Sequence, residues 1–301
     1  MLSVVFAAPA AKRLNKVSDI INTIDGSGCV GGYEMKTIGL LAGIGRLPVE
    51  FARAARGMGF NVIAIAVVPG IDPELAAAAD KFHVISVGQL EDIINTLKKE
   101  QATEVAMIGK VTKELMFAGA VQLDGRIQKL LAGLKDNSDD TIMLAFVHEL
   151  ASEGIGVLDQ TALIRTLMPG AGQITKRAPS ASEKADMELG FKMAKEIGGL
   201  DIGQTVVVKN LAVMAVEAIE GTDVCILRGG ELGRGDVVVA KVAKPNQDLR
   251  FDVPSVGPDT LRVMIKAGAK GLVIEAGATL LIDKETVVRM ADDNDITIIA
   301  M

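Results

Sequence analysis

Aromatic residues make up only 3% of the 301-residue chain, with no tryptophan and one tyrosine. Base stacking, the usual grip on single-stranded nucleic acid, therefore has almost no side chains to work with. An excess of positive charge is missing too. The 32 Lys and Arg stand against 38 Asp and Glu, a formal net charge of −6, so the field that draws a protein to a phosphate backbone is absent. No nucleic-acid partner is expected; a small molecule is. Cysteine and histidine are scarce: Cys29, Cys225, His83 and His148 are the whole set, and none shows ligand spacing. A zinc site of the usual kind is excluded, and any catalytic metal is expected to be an oxygen-ligand ion, Mg²⁺ or alternatively Mn²⁺. Long apolar runs are lacking as well. Residues 2–11 are apolar but too short to span a bilayer, and no Lys or Arg precedes them as in a secretory signal. Neither a transmembrane segment nor export is expected.

What the chain does have is aliphatic core. Apolar residues reach 49% and mean hydropathy is +0.35, ample for two domains. Residues 1–35 read as an extension, either a poorly ordered tail or a start assigned too early, with Met35 the favoured start because it stands directly before the first strand. From there apolar runs at 37–42, 61–68, 82–87 and 104–108 alternate with helical spacing, such as Leu90, Ile93, Ile94 and Leu97 at i, i+3, i+4 and i+7. Strand alternating with helix implies a Rossmann-like, doubly wound parallel sheet over residues 36–168. A stretch rich in Pro, Gly and Ser without periodicity marks a linker at 169–182. Residues 183–301 are expected to form a mixed α/β catalytic domain, opening with a helix through Met187, Phe191, Ala194 and Ile197 and a tight hairpin at Lys209-Asn210. The fold class is thus α/β throughout.

Four constellations could carry chemistry. Gly43-Ile44-Gly45-Arg46-Leu47-Pro48 follows the first strand. Such a turn could aim bare backbone N–H groups at an anion beside a helix N-terminus, with Arg46 adding a charged bond; a tight turn needing glycine for geometry alone fits equally well. The dinucleotide version of the motif fits poorly. Its third glycine is replaced by Pro48, and no acid ends the second strand at Val67-Val68-Pro69. Asp139-Asp140 precedes a helix and is better explained as capping than as a metal site. Glu217 lies in an otherwise apolar strand, where a carboxylate is costly without a cation or donor, and Thr222 and Asp223 follow at the strand's exit, where they could equally cap a helix. The fourth is Lys244-Pro245-Asn246-Gln247-Asp248-Leu249-Arg250-Phe251-Asp252-Val253-Pro254. If extended, it projects Asp248, Arg250 and Asp252 to one side, where carboxylates beside a guanidinium could hold a metal and a phosphate. An edge strand with a salt-bridged face fits the bare pattern slightly better. The bracketing prolines favour a stiffened loop.

Three stretches together resemble a known family: Ala42 to Pro48; Leu200-Asp201-Ile202-Gly203-Gln204 through Ala215-Val216-Glu217-Ala218-Ile219-Glu220-Gly221-Thr222-Asp223; and Lys244 to Thr260. They are similar to the UDP-2,3-diacylglucosamine pyrophosphatases of lipid A biosynthesis, the type unrelated to calcineurin-like phosphoesterases. The resemblance covers nearly all of residues 36–301. It implies a Mg²⁺-dependent hydrolase that splits a lipid-linked UDP-sugar into UMP and 2,3-diacylglucosamine 1-phosphate between two dissimilar domains. It further implies a cytoplasmic enzyme, with the inner face of the inner membrane and peripheral membrane contact left open, as is a homodimer. By the resemblance, Asp252 is the essential aspartate of an Arg-x-Asp-x-Pro motif, Asp223 the acid of a Gly-Thr-Asp motif, and Gly43 and Gly45 the glycine turn. On this footing Asp252, Asp223, Lys244 and Arg250 are the catalytic candidates and Asp252, Asp248, Asp223 and Glu217 the metal candidates. Gly43, Gly45, Arg46, Lys110, Thr222 and Gln247 are the substrate-binding candidates. A non-catalytic nucleotide-sugar or lipid binder and an NAD(P)-dependent oxidoreductase stand as alternatives.

Overall fold

The computed structural model describes residues 36–111, 122–136, 139–245, 247–251 and 253–301. The extension 1–35 with Cys29, the side chains of Asp139 and Asp140, Asn246 and, above all, Asp252 lie outside the described residues.

The first half alternates as its periodicity requires. Strand β1 (Thr37–Ala42) leads to helix α1 (Leu47–Gly57), β2 (Asn61–Ala66), the short α2 (Leu75–Ala78) and β3 (Lys81–Val84). Then follow α3 (Leu90–Lys99), β4 (Glu104–Ile108), α4 (Gly125–Ala132), α5 (Asp139–Ser152) and β5 (Gly156–Val157). The sheet is ordered β3-β2-β1-β4-β5, and all of its strand pairs are parallel. The inner strands β1, β2 and β4 are covered on both faces and so are buried and apolar after their first residue rather than alternating. Phe51, Ala52 and Ala55 of α1 pack on one face; Leu90, Ile93, Ile94 and Leu97 of α3, with Phe146 and Leu150 of α5, pack on the other. The α3 stripe is at most 1% exposed, so each of its side chains contributes roughly 1.5–3 kcal/mol. Met58 lies just past the end of α1, 57% exposed.

The second half is mixed. It comprises β6 (Gly172–Gln173), α6 (Ala181–Gly199), β7 (Thr205–Lys209), β8 (Ala212–Val216), α7 (Thr222–Gly233), β9 (Val237–Lys241) and β10 (Ser255–Val256). After these come α8 (Pro258–Lys266), β11 (Ala269–Ile274), β12 (Leu280–Leu281), α9 (Lys284–Asp293) and β13 (Thr297–Ala300). The main sheet runs β6-β13-β11-β9-β7-β8, and β10 and β12 form a separate parallel pair. Strands β9, β11 and β13 are parallel, while β6, β7 and β8 pair antiparallel. Helix α6 covers one face with Met187 and Ala194; α7, α8 and α9 cover the other with Ile226, Met264 and Val287.

Two local features differ from expectation. The 169–182 stretch is a strap rather than a loose linker. Its β6 pairs with β13, the Thr175 hydroxyl accepts from Ile298 N at 2.8 Å, and Arg177 donates to Thr297 Oγ1 at 2.6 Å. A two-residue strand is too short to leave a periodic signal. The hairpin turns on Asn210-Leu211, both left-handed at φ 51° and 58°. Asp186, 4% exposed, accepts from Asn210 N at 2.9 Å and Leu211 N at 2.6 Å. That carboxylate holds a primed turn without the usual glycine.

Candidate functional site

In open α/β sheets ligands gather beyond the carboxyl ends of the parallel strands. At the first such edge, β1 and β4 are neighbours and their exits are stitched together by main chain. Gly43 N donates to Ile108 O at 2.8 Å, and Ile44 and Lys110 exchange two N–H···O bonds of 2.9 Å. A Cβ on Gly43 would stand 2.7 Å from Gly109 C and from Lys110 O, so glycine is required by close approach. The Gly43 and Ile44 amides are thereby committed to the protein and are not the bare anion donors expected of this turn. Gly45 is different: its φ of +116° demands glycine although open space surrounds it. Arg46 donates to Asp72 at 3.0 Å, to Glu74 at 3.1 Å and to Glu50 at 3.3 Å. Its guanidinium pKa is driven up by Glu74 first and Asp72 second, and Glu74 in turn is held below the ordinary carboxylate range by Arg46 and Arg53. Arg46 is thus occupied by carboxylates. The Lys110 side chain is exposed.

The second edge is built from side chains. Glu217, 8% exposed, receives the Thr222 hydroxyl at 2.8 Å and Gln204 N at 3.3 Å. These two donors answer the burial cost that made it conspicuous in sequence. The N-cap of α7 is Gly221 at φ 80°, with no side-chain cap, so Thr222 ties the helix to Glu217, which lies one residue past the end of β8 rather than within it, instead of capping the helix. Asp223 is exposed in the first turn of α7, where a carboxylate complements the helix dipole. Sequence reasoning missed Lys241, 8% exposed at the end of β9 and in register with Thr205. Its signal was available, a single cation closing the apolar run Val237 to Ala240. It also missed Lys195 and Glu275, which meet at 3.0 Å beside the β9 exit.

From β9 the chain crosses to the first half. Lys244 Nζ bonds Asp201 at 2.7 Å, and Lys244 N donates to Gln247 Oε1 at 2.7 Å. Gln247 Nε2 is buried with no partner among the described residues. The run after it is a turn, as the bracketing prolines favoured, and not the extended strand that alternation left open. Phe251 N donates to Asp248 O at 3.3 Å, and Asp248 takes Arg250 in a forked pair at 2.9 and 2.6 Å. Arg250 holds the Asp248 carboxyl below its ordinary range, against the opposing pull of burial. Gln160 N, from the segment after β5, donates to Leu249 O at 2.7 Å. Phe251 packs into one core of the first half, and Val253 with Leu280 and Ile282 into the other. Lys244, Asp248 and Arg250 therefore sit on a segment that joins the two carboxyl edges.

Glu217 and Asp248 are committed to Thr222 and Arg250, and Asp223 faces solvent. Among the described residues no group of three or more His, Cys, Asp or Glu side chains is gathered to hold a metal ion. The described residues alone do not fit a metal centre.

Family models match both halves: the LpxI N-terminal domain over residues 37–167 and the LpxI C-terminal domain over residues 170–299. The UDP-2,3-diacylglucosamine pyrophosphatase LpxI of Caulobacter vibrioides is 33% identical over 272 residues, covering 86% of this chain and 95% of that protein. Two solved structures align faintly. N5-carboxyaminoimidazole ribonucleotide synthetase from Thermotoga maritima aligns at TM-score 0.26 and 16% identity over 62% of this chain and 42% of that one. Biotin carboxylase from Campylobacter jejuni aligns at TM-score 0.26 and 15% identity over 66% and 42%, and neither likeness carries weight. With both halves matched and one relative aligned almost end to end, the chain belongs to the LpxI family.

Proposed function

We propose that the chain hydrolyses the pyrophosphate bond of UDP-2,3-diacylglucosamine, adding water across it to release UMP and 2,3-diacylglucosamine 1-phosphate in lipid A biosynthesis. The observation that carries this reading is the segment of residues 244–254. Its Lys244 and Arg250 lie where the two carboxyl edges are bridged, and its relative in Caulobacter vibrioides bears the name of that activity. Cations so placed would stabilise charge developing on the phosphoryl oxygens, once Lys244 turns from Asp201 and Arg250 from Asp248. Asp252 is the residue on which the chemistry is expected to depend most.

Mg²⁺, or Mn²⁺, is the ion a carboxylate-only set would take, and when bound it would neutralise the pyrophosphate. Asp252 and Asp223 are the candidates left to hold it, since Glu217 and Asp248 are committed to Thr222 and Arg250. No helix among the described residues is long and apolar enough to cross a membrane, which suits peripheral contact at the cytoplasmic face where a lipid-linked substrate would be met. The test is purified protein with UDP-2,3-diacylglucosamine, with and without EDTA, scored for UMP. Release of UMP that EDTA stops is expected. No UMP with Mg²⁺ present overturns the reading, and UMP release indifferent to EDTA removes the metal from it.

A further inference from the structure

Beyond the ladder of β9, whose last rung pairs Lys241 with Ile274, the Ala243 peptide would lose its strand partners. Both of its polar groups are instead taken by side chains. Glu275 Oε2 accepts Ala243 N at 2.9 Å, and Lys195 Nζ donates to Ala243 O at 2.8 Å. Lys195 also bonds both oxygens of Glu275 at 3.0 Å. The three groups form a closed ring around one buried residue, Ala243 being 7% exposed. The end of α6 presses on the same point, since a Cβ on Gly198 would stand 3.4 Å from Lys244 Cα. Lys195 and Glu275 are 80 positions apart, one on α6 and one just after β11, and the single element they hold in common is the base of the 244–254 segment.

We infer that Lys195 and Glu275 are positioning residues for the pyrophosphatase, acting through the Ala243 peptide to aim Lys244 and the residues that follow it. This rests on the reading under Proposed function. A side-chain clamp is chemically specific where a plain ion pair is not: Glu275 must accept from an N–H and Lys195 must donate to a C=O. Exchanging the two charges keeps the ion pair and destroys both contacts to Ala243.

The experiment compares the wild type, Glu275→Ala, Glu275→Gln, Lys195→Met and the exchanged pair Lys195→Glu/Glu275→Lys. It measures kcat, KM, melting temperature and amide exchange at Ala243 and Lys244. Glu275→Ala is expected to lower kcat on the order of 100-fold with little change in KM, the scale of a small misplacement of reacting groups. Glu275→Gln, which keeps an acceptor for Ala243 N, should recover part of the loss. The exchanged pair should regain melting temperature but neither kcat nor amide protection. Recovery of kcat by the exchanged pair, or unchanged kcat in both Glu275→Ala and Lys195→Met, overturns the inference. Should the exchanged pair not fold, the two single variants decide by whether kcat falls more than stability predicts. A wild type that releases no UMP sinks the pyrophosphatase reading instead, and exchange rates at Ala243 and Lys244 then judge the clamp alone.

Discussion

The two carboxyl edges of this protein are closed by different means. The first is closed by main chain, with Gly43 and Ile44 bonded directly to the exit of β4. The second is closed by side chains: Glu217 to Thr222, Glu275 and Lys195 to Ala243, and Lys244 to Asp201. A main-chain closure cannot be retuned except by replacing glycine, so it serves as a rigid floor. A side-chain closure leaves charged groups within reach of a ligand and lets single substitutions change them. The chemistry is accordingly expected to follow the second edge and the segment leaving it, and the stability of the fold to follow the first.

The largest test of that division is Asp252→Ala. UMP release should fall on the order of 1,000-fold, the upper range for losing one electrostatic contributor in a protein site, while substrate binding by calorimetry persists. Turnover close to wild type would return the role to another carboxylate and break the comparison at its strongest point.

Next comes Gly43→Ala. The new methyl meets main-chain atoms of Gly109 and Lys110 at 2.7 Å, which cannot swing aside as a flexible side chain would. A loss of about 1–3 kcal/mol in urea unfolding is expected, the usual scale of overpacking, with kcat per folded molecule nearly kept. A selective loss of kcat without a loss of stability would show that the first edge does more than support.

How much of this was legible in the sequence follows the range of the forces involved. The first sheet and α3 were readable because burial on both faces writes itself into local periodicity. Glu217 was readable because a lone carboxylate in an apolar strand needs a reason. The Asp248–Arg250 turn was half readable: the bracketing prolines pointed to a loop, while alternation left an extended face open that the structure does not show, because the Asp248 side chain captures Arg250 N at 3.0 Å as well as the guanidinium, and such local capture competes with regular structure. The contact between Gly43 and Gly109 was half visible, as two glycines at two strand ends, and needed the β1–β4 adjacency to complete it. Lys195 and Glu275 left no signal at all. Each looks ordinary in its own element, and only the fold brings them to Ala243.

Glu217→Ala tests whether the second edge is held as well as decorated. It takes the acceptor from Gln204 N and the nearer partner from the Thr222 hydroxyl, which keeps only Thr205 Oγ1 at 3.5 Å; for part-buried donors this should cost about 1 kcal/mol. Glu217→Gln, keeping an oxygen in place, should cost less. Chemical denaturation distinguishes the two, and loss of turnover with unchanged stability in both would recast Glu217 as a ligand-binding group.

The smallest expected effect is the pH dependence of the Asp248–Arg250 pair on the segment leaving the second edge. Asp248 has its folded pKa depressed by Arg250, so the pair contributes stability above the ordinary carboxylate pKa of about 3.9 and loses it as pH falls through the lowered folded value. Both side chains are about a third exposed, 29% and 34%, and an exposed pair contributes only about 0.2–1 kcal/mol. Arg250→Met removes the depressing partner. The stability gap between wild type and variant should therefore be full near neutral pH, narrow through the acidic range below the ordinary carboxylate value, and close once Asp248 is protonated in both. The Gly43→Ala gap contains no titrating partner and should stay level over the same range. A Gly43→Ala gap that narrowed in parallel would show that the two edges are coupled through the segment between them, and the division of labour would have to be redrawn.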